Sequence, residues 1–362
     1  VSLTGTPLQV LLVAVALAAL GATVWLTPRM KRWFGRVGLL LCSELCALLA
    51  MLTVANAYFD FYHSWADLTG GVSGTATGPG PSGAAEVTAV RDPFITAHRL
   101  PSTAGGLQSI VIHGHRSGIS TPAYVYLPPQ YASEPNRRFP VTVALTGYPG
   151  NAQNLITRMQ LPQLASGEIV AARIQPMIFV MLRPMLTPPR DTECTDVPHG
   201  PQAETFFAQD LPVAIGSAYR TAAAPGGWGL LGDSTGGYCA AKLAMRHSDR
   251  FSAAVSLSGY FHALNDLTTG DLYGGSKTYR AENDLFWRLG HLPPPPIRIL
   301  VTSSRRGERD YPQIQRFIAL ARAPMEVDSL ILPSGGHHFS VWRSELPSAL
   351  RWLADRLLSS RG

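Results

Sequence analysis

Gly232-Asp233-Ser234-Thr235-Gly236-Gly237 directly follows the apolar run Trp228-Gly229-Leu230-Leu231, and its reading decides the fold. An apolar strand, a glycine-flanked serine and then a helix-compatible stretch describe a nucleophile elbow. The serine occupies a strained turn, and small residues two before and two after it let strand and helix approach closely. Such a turn lifts Oγ to the end of a parallel sheet and aims the N–H of the next residue, Thr235, into the space above it. A serine hydroxyl is a weak nucleophile alone, so this reading requires a base and an orienting acid further along the chain.

Both are present, in the order serine, acid, histidine. The base is expected in Pro333-Ser334-Gly335-Gly336-His337-His338-Phe339, after an apolar strand. Loops at the carboxyl ends of strands are where catalytic groups gather in open α/β sheets. The paired glycines favour His337 over His338, because they let the loop bend toward the serine. The acid is expected after the preceding strand, with Glu308 as first choice and Asp310 as alternative; spacing does not decide between them. Its task is to accept the imidazole Nδ1–H and fix the tautomer. The second oxyanion donor is expected after Val141–Leu145, in Thr146-Gly147-Tyr148-Pro149-Gly150. Pro149 has no N–H, so Tyr148 is the choice beside Thr235. A trypsin-like reading of Gly-Asp-Ser fails, since that class places histidine and aspartate before the serine on an all-β fold.

The surrounding pattern agrees with a parallel sheet. Strand-like runs at 109–112, 123–127, 141–145, 177–181, 253–257, 297–302 and 329–332 alternate with helical stretches in the later part, predicting a mostly parallel sheet covered by helices. Tyr260–Leu292 is longer than a crossover needs; it is expected to hold a helix over Ala281–Leu289 and either to cap the site or to form an ordinary surface excursion.

The 362 residues are 46% hydrophobic but only 15% charged, against about 25% charged in typical soluble domains. Part of the deficit lies at the start. Pro7–Leu26 carries no charge and matches the ~20 residues that cross a bilayer core. Val37–Phe59 is apolar apart from Glu44 and small polar residues. The basic residues Arg29, Lys31, Arg32 and Arg36 follow the first run rather than precede it, which is the pattern of a span and not of a secretory signal. The positive-inside rule then puts that loop in the cytoplasm and both flanks outside. Residues 1–60 are thus expected to form two transmembrane helices, 61–92 a flexible Gly/Ser/Pro-rich tether, and 93–362 one catalytic domain. A tether of that composition spans roughly 30 Å root-mean-square. The net charge of +6 is partly accounted for by this loop, and Arg305-Arg306-Gly307-Glu308-Arg309 lacks aromatic interleaving, so no nucleic-acid partner is expected.

Of four cysteines, Cys42 and Cys46 fall in the second apolar run as small packing residues. Cys194 and Cys239 fall in the part placed outside the cell, where disulfides persist; a Cys194–Cys239 bridge is expected, the alternative being two free buried thiols. No metal-ligand spacing is visible, and no cofactor is expected.

The elbow at 232–237, the acid loop at Glu308 and Gly335-Gly336-His337 with Trp342 five residues on resemble the esterase D and antigen 85 (mycolyltransferase-like) branch of the α/β-hydrolases, over roughly residues 105–360. The resemblance implies an α/β-hydrolase fold, with Ser234 as nucleophile, His337 as base, Glu308 as acid, and Thr235 and Tyr148 as oxyanion donors. Two departures stand out. Thr146 replaces the His or Asp that relatives often carry, and Thr235 replaces a more usual Met. The spans ahead of such a domain look like membrane-anchored actinobacterial members. The expectation is a multi-pass membrane protein whose extracytoplasmic domain is a serine ester hydrolase or acyltransferase, acting on an ester or acyl donor, such as a lipid or glycolipid. A non-catalytic envelope-binding protein of the same fold is the alternative.

Overall fold

Val141–Leu145 is buried along its whole length, as a strand must be when helices cover both faces of its sheet. The computed structural model describes residues 6–59, 85–188 and 190–358. They fall into two units, divided near residue 73.

In the first unit, the helices Thr6–Leu26 and Trp33–Phe59 are joined by a short turn. Both are long and apolar enough to cross a membrane, with mean hydropathy 2.3 and 2.2 over their spans. Leu11, Leu17, Val24, Leu41, Leu45 and Leu52 all remain exposed.

The second unit is built on one nine-stranded sheet. Its strands are β1 (Glu86–Val90), β2 (Gly106–His113), β3 (Ser120–Leu127), β4 (Val141–Leu145), β5 (Ile178–Leu182), β6 (Trp228–Asp233), β7 (Ala253–Leu257), β8 (Arg298–Ser304) and β9 (Glu326–Leu332). Their spatial order is β1-β2-β3-β5-β4-β6-β7-β8-β9. The first three are antiparallel, and β3 meets β5 antiparallel. From β5 to β9 all pairings are parallel. This is a mostly parallel α/β-hydrolase sheet flanked by helices.

Alternate residues of each central strand serve two cores. Val143, Leu145, Val180 and Leu230 face Tyr238, Leu243 and Phe317 on one side. Ala144, Phe179, Met181 and Leu231 face Leu161, Ile169, Leu346 and Leu350 on the other. Full burial of each large aliphatic or aromatic side chain contributes about 1.5–3 kcal/mol, so the two-sided burial, rather than local propensity, holds these strands.

The connections reverse direction at β4. From there the chain steps outward to β5, then crosses over to β6 on the opposite side. Crevices open at such switch points, outside the carboxyl ends of the strands. The loop after β4 and the turn after β6 are neighbours there, because Leu145 pairs with Gly232.

Two expectations need correction. Residues 86–90, expected to be part of the tether, pair antiparallel with 109–113 as an edge strand. Asp92 then caps the short helix Pro93–Ala97 by accepting from Phe94 N–H. The folded unit therefore begins before residue 93; residues 61–84 of the expected tether lie outside the described residues. The single helix expected over Ala281–Leu289 is two helices, Lys277–Glu282 and Leu285–His291. The break falls at Asp284, whose carboxylate accepts from the N–H groups of Phe286 and Trp287 and so starts a new helix.

Candidate active site

Ser234 stands between β6 and the helix Thr235–Arg246, with φ 54° and ψ −120°. L-residues avoid this backbone region, and strain of this kind concentrates at functional turns. The turn is held from both sides: Ser234 N–H donates to Leu257 O at 2.9 Å, and Tyr238 N–H donates to Ser234 O at 3.0 Å. A Cβ on Gly236 would come within 2.2 Å of Leu145 O, so the elbow helix touches β4 through bare backbone.

The loop between β9 and the helix Phe339–Ala354 delivers the histidines. His337 Nε2 lies 2.8 Å from Ser234 Oγ. Its Nδ1 lies 3.4 Å from Glu308 Oε2. The ring stands edge-on to Trp342, with centroids 4.9 Å apart. His338 turns elsewhere, its Nδ1 lying 2.8 Å from Ser340 Oγ. The acid loop and the histidine loop meet at Gly307, which has φ +98° and where a Cβ would fall 1.9 Å from Gly335 O. Only glycine permits both that φ and that approach.

Glu308 is nearly buried, with 4% of its side chain exposed. Ser258 O–H donates to its Oε1 at 2.7 Å, and Trp342 Nε1–H donates to Ser258 Oγ at 3.0 Å. Burial alone would push this carboxyl up. Hydrogen bonds from His337 and Ser258, with the charge of His337 and His338, hold it below the usual range instead. Asp310, the alternative acid, is not part of this row. It sits at the start of the helix Tyr311–Leu320, and its carboxylate accepts from Gln313 Nε2 at 3.2 Å.

The other side of Ser234 is formed by the loop after β4. A Cβ on Gly147 would sit 2.9 Å from Ser234 Cβ, so Gly147-Tyr148 passes directly over the elbow. Gly147 N–H donates to Asp233 Oδ2 at 2.9 Å. Asp233 is fully buried, and desolvation pushes its carboxyl up to about 7. Thr235, the first residue of the elbow helix, is also buried; Tyr260 Oη lies 2.9 Å from its Oγ1.

Beneath the elbow, Cys194 and Cys239 are joined as a disulfide, with Cα atoms 5.7 Å apart. It ties the loop after β5 to the elbow helix. One turn further on, buried Lys242 donates to Glu193 O at 3.0 Å and Thr195 Oγ1 at 2.7 Å. Burial pushes Glu193 up to about 8 and Lys242 down to about 8.

The structure thus brings Ser234, His337 and Glu308 into one row, with Thr235 and the Tyr148 loop alongside. Ser258, Tyr260, Glu193 and Asp233 escaped the sequence reading. The signal available for Ser258 and Tyr260 was their position just past the carboxyl end of β7, where the sheet rule places functional groups.

A serine on a strained turn at the switch point of this sheet order defines an α/β-hydrolase. The chain belongs to the family described as "Putative esterase", whose model matches residues 115–353. It is 24% identical over 256 residues to an uncharacterized protein of Corynebacterium glutamicum, covering 65% of this chain and 57% of that protein. Over 78 residues it is 37% identical to the MPT51/MPB51 antigen of Mycobacterium tuberculosis, covering 22% of this chain and 25% of the antigen. The chain therefore spans just over half of the first relative and a quarter of the second. Among solved structures, a ferulic acid esterase matches with TM-score 0.58 and 17% identity, over 76% of this chain and 100% of that one. An S-formylglutathione hydrolase from Agrobacterium tumefaciens matches with TM-score 0.57 and 14% identity, over 75% of this chain and 100% of that one. At such identities the likeness is one of fold.

Proposed function

We propose that this chain is a membrane-anchored serine ester hydrolase or acyltransferase whose catalytic domain faces the cell exterior. The observation that carries the reading is the 2.8 Å approach of His337 Nε2 to Ser234 Oγ, with Glu308 behind the same ring.

Ser234 Oγ attacks the ester carbonyl carbon while His337 Nε2 takes its proton. Glu308, ionised and oriented by Ser258, stabilises the imidazolium that forms. The tetrahedral oxyanion is held by the backbone N–H groups of Thr235 and Tyr148, each worth about 3–4 kcal/mol in a comparable site. Collapse expels the alcohol, which takes the proton back from His337, and leaves an acyl-serine. Water or a second alcohol, deprotonated by the same histidine, then attacks that acyl group; the bond to Ser234 Oγ breaks, and Oγ takes the proton back from His337. The 3.4 Å Nδ1–carboxylate distance is long for a strong hydrogen bond; tightening on substrate binding is the common behaviour of such sites.

Anchoring is supported by the two-helix unit, which keeps large apolar side chains on its outside, as a membrane-embedded pair does. The basic turn between the helices favours a cytoplasmic loop and an external domain. A site held near a membrane surface suits an amphiphilic ester, such as an envelope lipid or glycolipid.

The test is steady-state hydrolysis of a p-nitrophenyl ester series by the full chain in detergent, with products analysed both with and without an alcohol acceptor. Turnover that Ser234→Ala abolishes supports the esterase reading, and acyl transfer to the alcohol in competition with water identifies a transferase. Absence of turnover across the series, with native folding intact, rejects catalysis in favour of a binding protein.

A further inference from the structure

Three groups far apart in sequence meet under the elbow. Tyr260 Oη lies 2.8 Å from both Glu193 Oε1 and Oε2, and 2.9 Å from Thr235 Oγ1. Glu193 Oε1 also accepts from Leu264 N–H at 3.1 Å. All of this is withdrawn from water: Glu193 is 0% exposed, Thr235 3% and Tyr260 7%. Tyr260 further stacks on Tyr238 of the elbow helix, with ring centroids 5.1 Å apart and planes at 20°.

The position of Glu193 is itself over-determined. Glu193 and Cys194 both hold positive φ, 49° and 51°, which is costly for residues with a Cβ. Asp191 Oδ1 accepts from Glu193 N–H at 3.0 Å, Lys242 holds Glu193 O, and the disulfide fastens Cys194 to the elbow helix. A strained loop fixed by these three attachments presents one carboxyl to one phenol, and that phenol reaches the residue after the nucleophile.

Resting on the esterase reading above, we propose that Tyr260 and Glu193 are positioning residues that hold Thr235 so that its backbone N–H points at the oxyanion. An oxyanion donor works only if its direction is set before the charge develops, without reorganisation at the moment of reaction. The Thr235 side chain and N–H share one Cα. Anchoring Oγ1 in a buried hydrogen bond therefore fixes the first residue of the elbow helix, where no preceding helical turn restrains it. Through Leu264 the same carboxyl also ties down the start of the Tyr260–Leu292 insertion, so that segment and the oxyanion donor share one anchor.

The test compares Tyr260→Phe, Thr235→Val and Thr235→Ser in the full chain. For Tyr260→Phe and Thr235→Val, kcat should fall about tenfold with KM within twofold, and the inhibition constant of a phenylboronic acid, which forms a tetrahedral adduct on the serine, should rise in parallel. Thr235→Ser should recover most of the kcat that Thr235→Val loses. Values of kcat within twofold of wild type in both hydroxyl-deleting variants overturn the proposal. So does equal loss in Thr235→Val and Thr235→Ser, which would show that side-chain shape and not the hydroxyl matters. Should Tyr260→Phe not fold, the Thr235 pair decides alone. A wild-type chain without turnover is a different failure, that of the esterase reading itself.

Discussion

Trp342 stands edge-on to His337, its ring plane turned 88° from the imidazole, and its indole N–H reaches past that ring to Ser258 Oγ. One tryptophan thus packs against His337 and, through Ser258, is linked to the Glu308 carboxylate behind it. Because Ser258 donates to Glu308 Oε1 at 2.7 Å, the carboxylate is held through the oxygen other than the one facing the histidine.

Ser258→Ala should therefore impair catalysis without unfolding the domain. A hydrogen bond to a charged group is worth about 1.5–3 kcal/mol, which corresponds to a loss of roughly 10- to 100-fold in kcat. Steady-state kinetics beside a thermal melt would check this; an unchanged kcat would mean that Glu308 needs no support from Ser258.

The two carboxylates of the acid loop should separate cleanly. Glu308→Gln should lower kcat by at least about 10³-fold, since the analogous change in a serine protease costs about 10⁴-fold. Asp310→Asn, which touches Gln313 on its own helix, should stay within twofold. The same contrast should hold between His337→Ala and His338→Ala. Matched ester-hydrolysis assays of the four variants measure it.

Acid stability should depend on Glu204, which is 4% exposed, 2.6 Å from Arg246 Nε and 2.7 Å from His247 Nε2. Burial raises its pKa, but His247, Lys242 and Arg246 outweigh that and hold it at about 2, below its ordinary 4.5. A depressed folded-state pKa contributes stability that is fully present above about pH 4.5 and is lost as pH falls toward 2. Glu204→Gln should cost about 3 kcal/mol at neutral pH and flatten the stability profile across that window. Urea melts from pH 7 to pH 2.5 would show it; parallel profiles for variant and wild type would contradict it.

The disulfide closes a loop of 45 residues. By the chain-entropy relation such a loop adds about 4 kcal/mol. The double variant Cys194→Ser, Cys239→Ser should lose much of that in denaturant melts. Since the bridge also fastens the Glu193 loop to the elbow helix, kcat should fall as well at temperatures where the variant remains folded.

How legible was this in the sequence? Val141–Leu145 and Ala253–Leu257 have the same bounds in the structure as in the pattern, because strands buried on both faces read as unbroken apolar runs. Ser234 and Glu308 were readable because each follows such a strand; His337 follows β9, which has no fully buried residue, and was readable from the paired glycines Gly335-Gly336 that mark its turn. Strand β1 was not. It is an edge strand with no fully buried residue, set after a Gly/Ser/Pro stretch whose composition masks it. Glu193 carries no local signal either, and Tyr260 only its place just past β7: a carboxyl in a polar loop and a tyrosine after a strand become a pair only when the fold sets them 2.8 Å apart.

The central claim is that His337 activates Ser234, and active-site titration with a fluorophosphonate tests it most directly. Intact-mass and peptide analysis of the folded full chain should find one adduct, on Ser234, absent from Ser234→Ala and formed at least a hundredfold more slowly in His337→Ala. No adduct on the wild-type chain, or equal labelling of wild type and Ser234→Ala, would contradict the account.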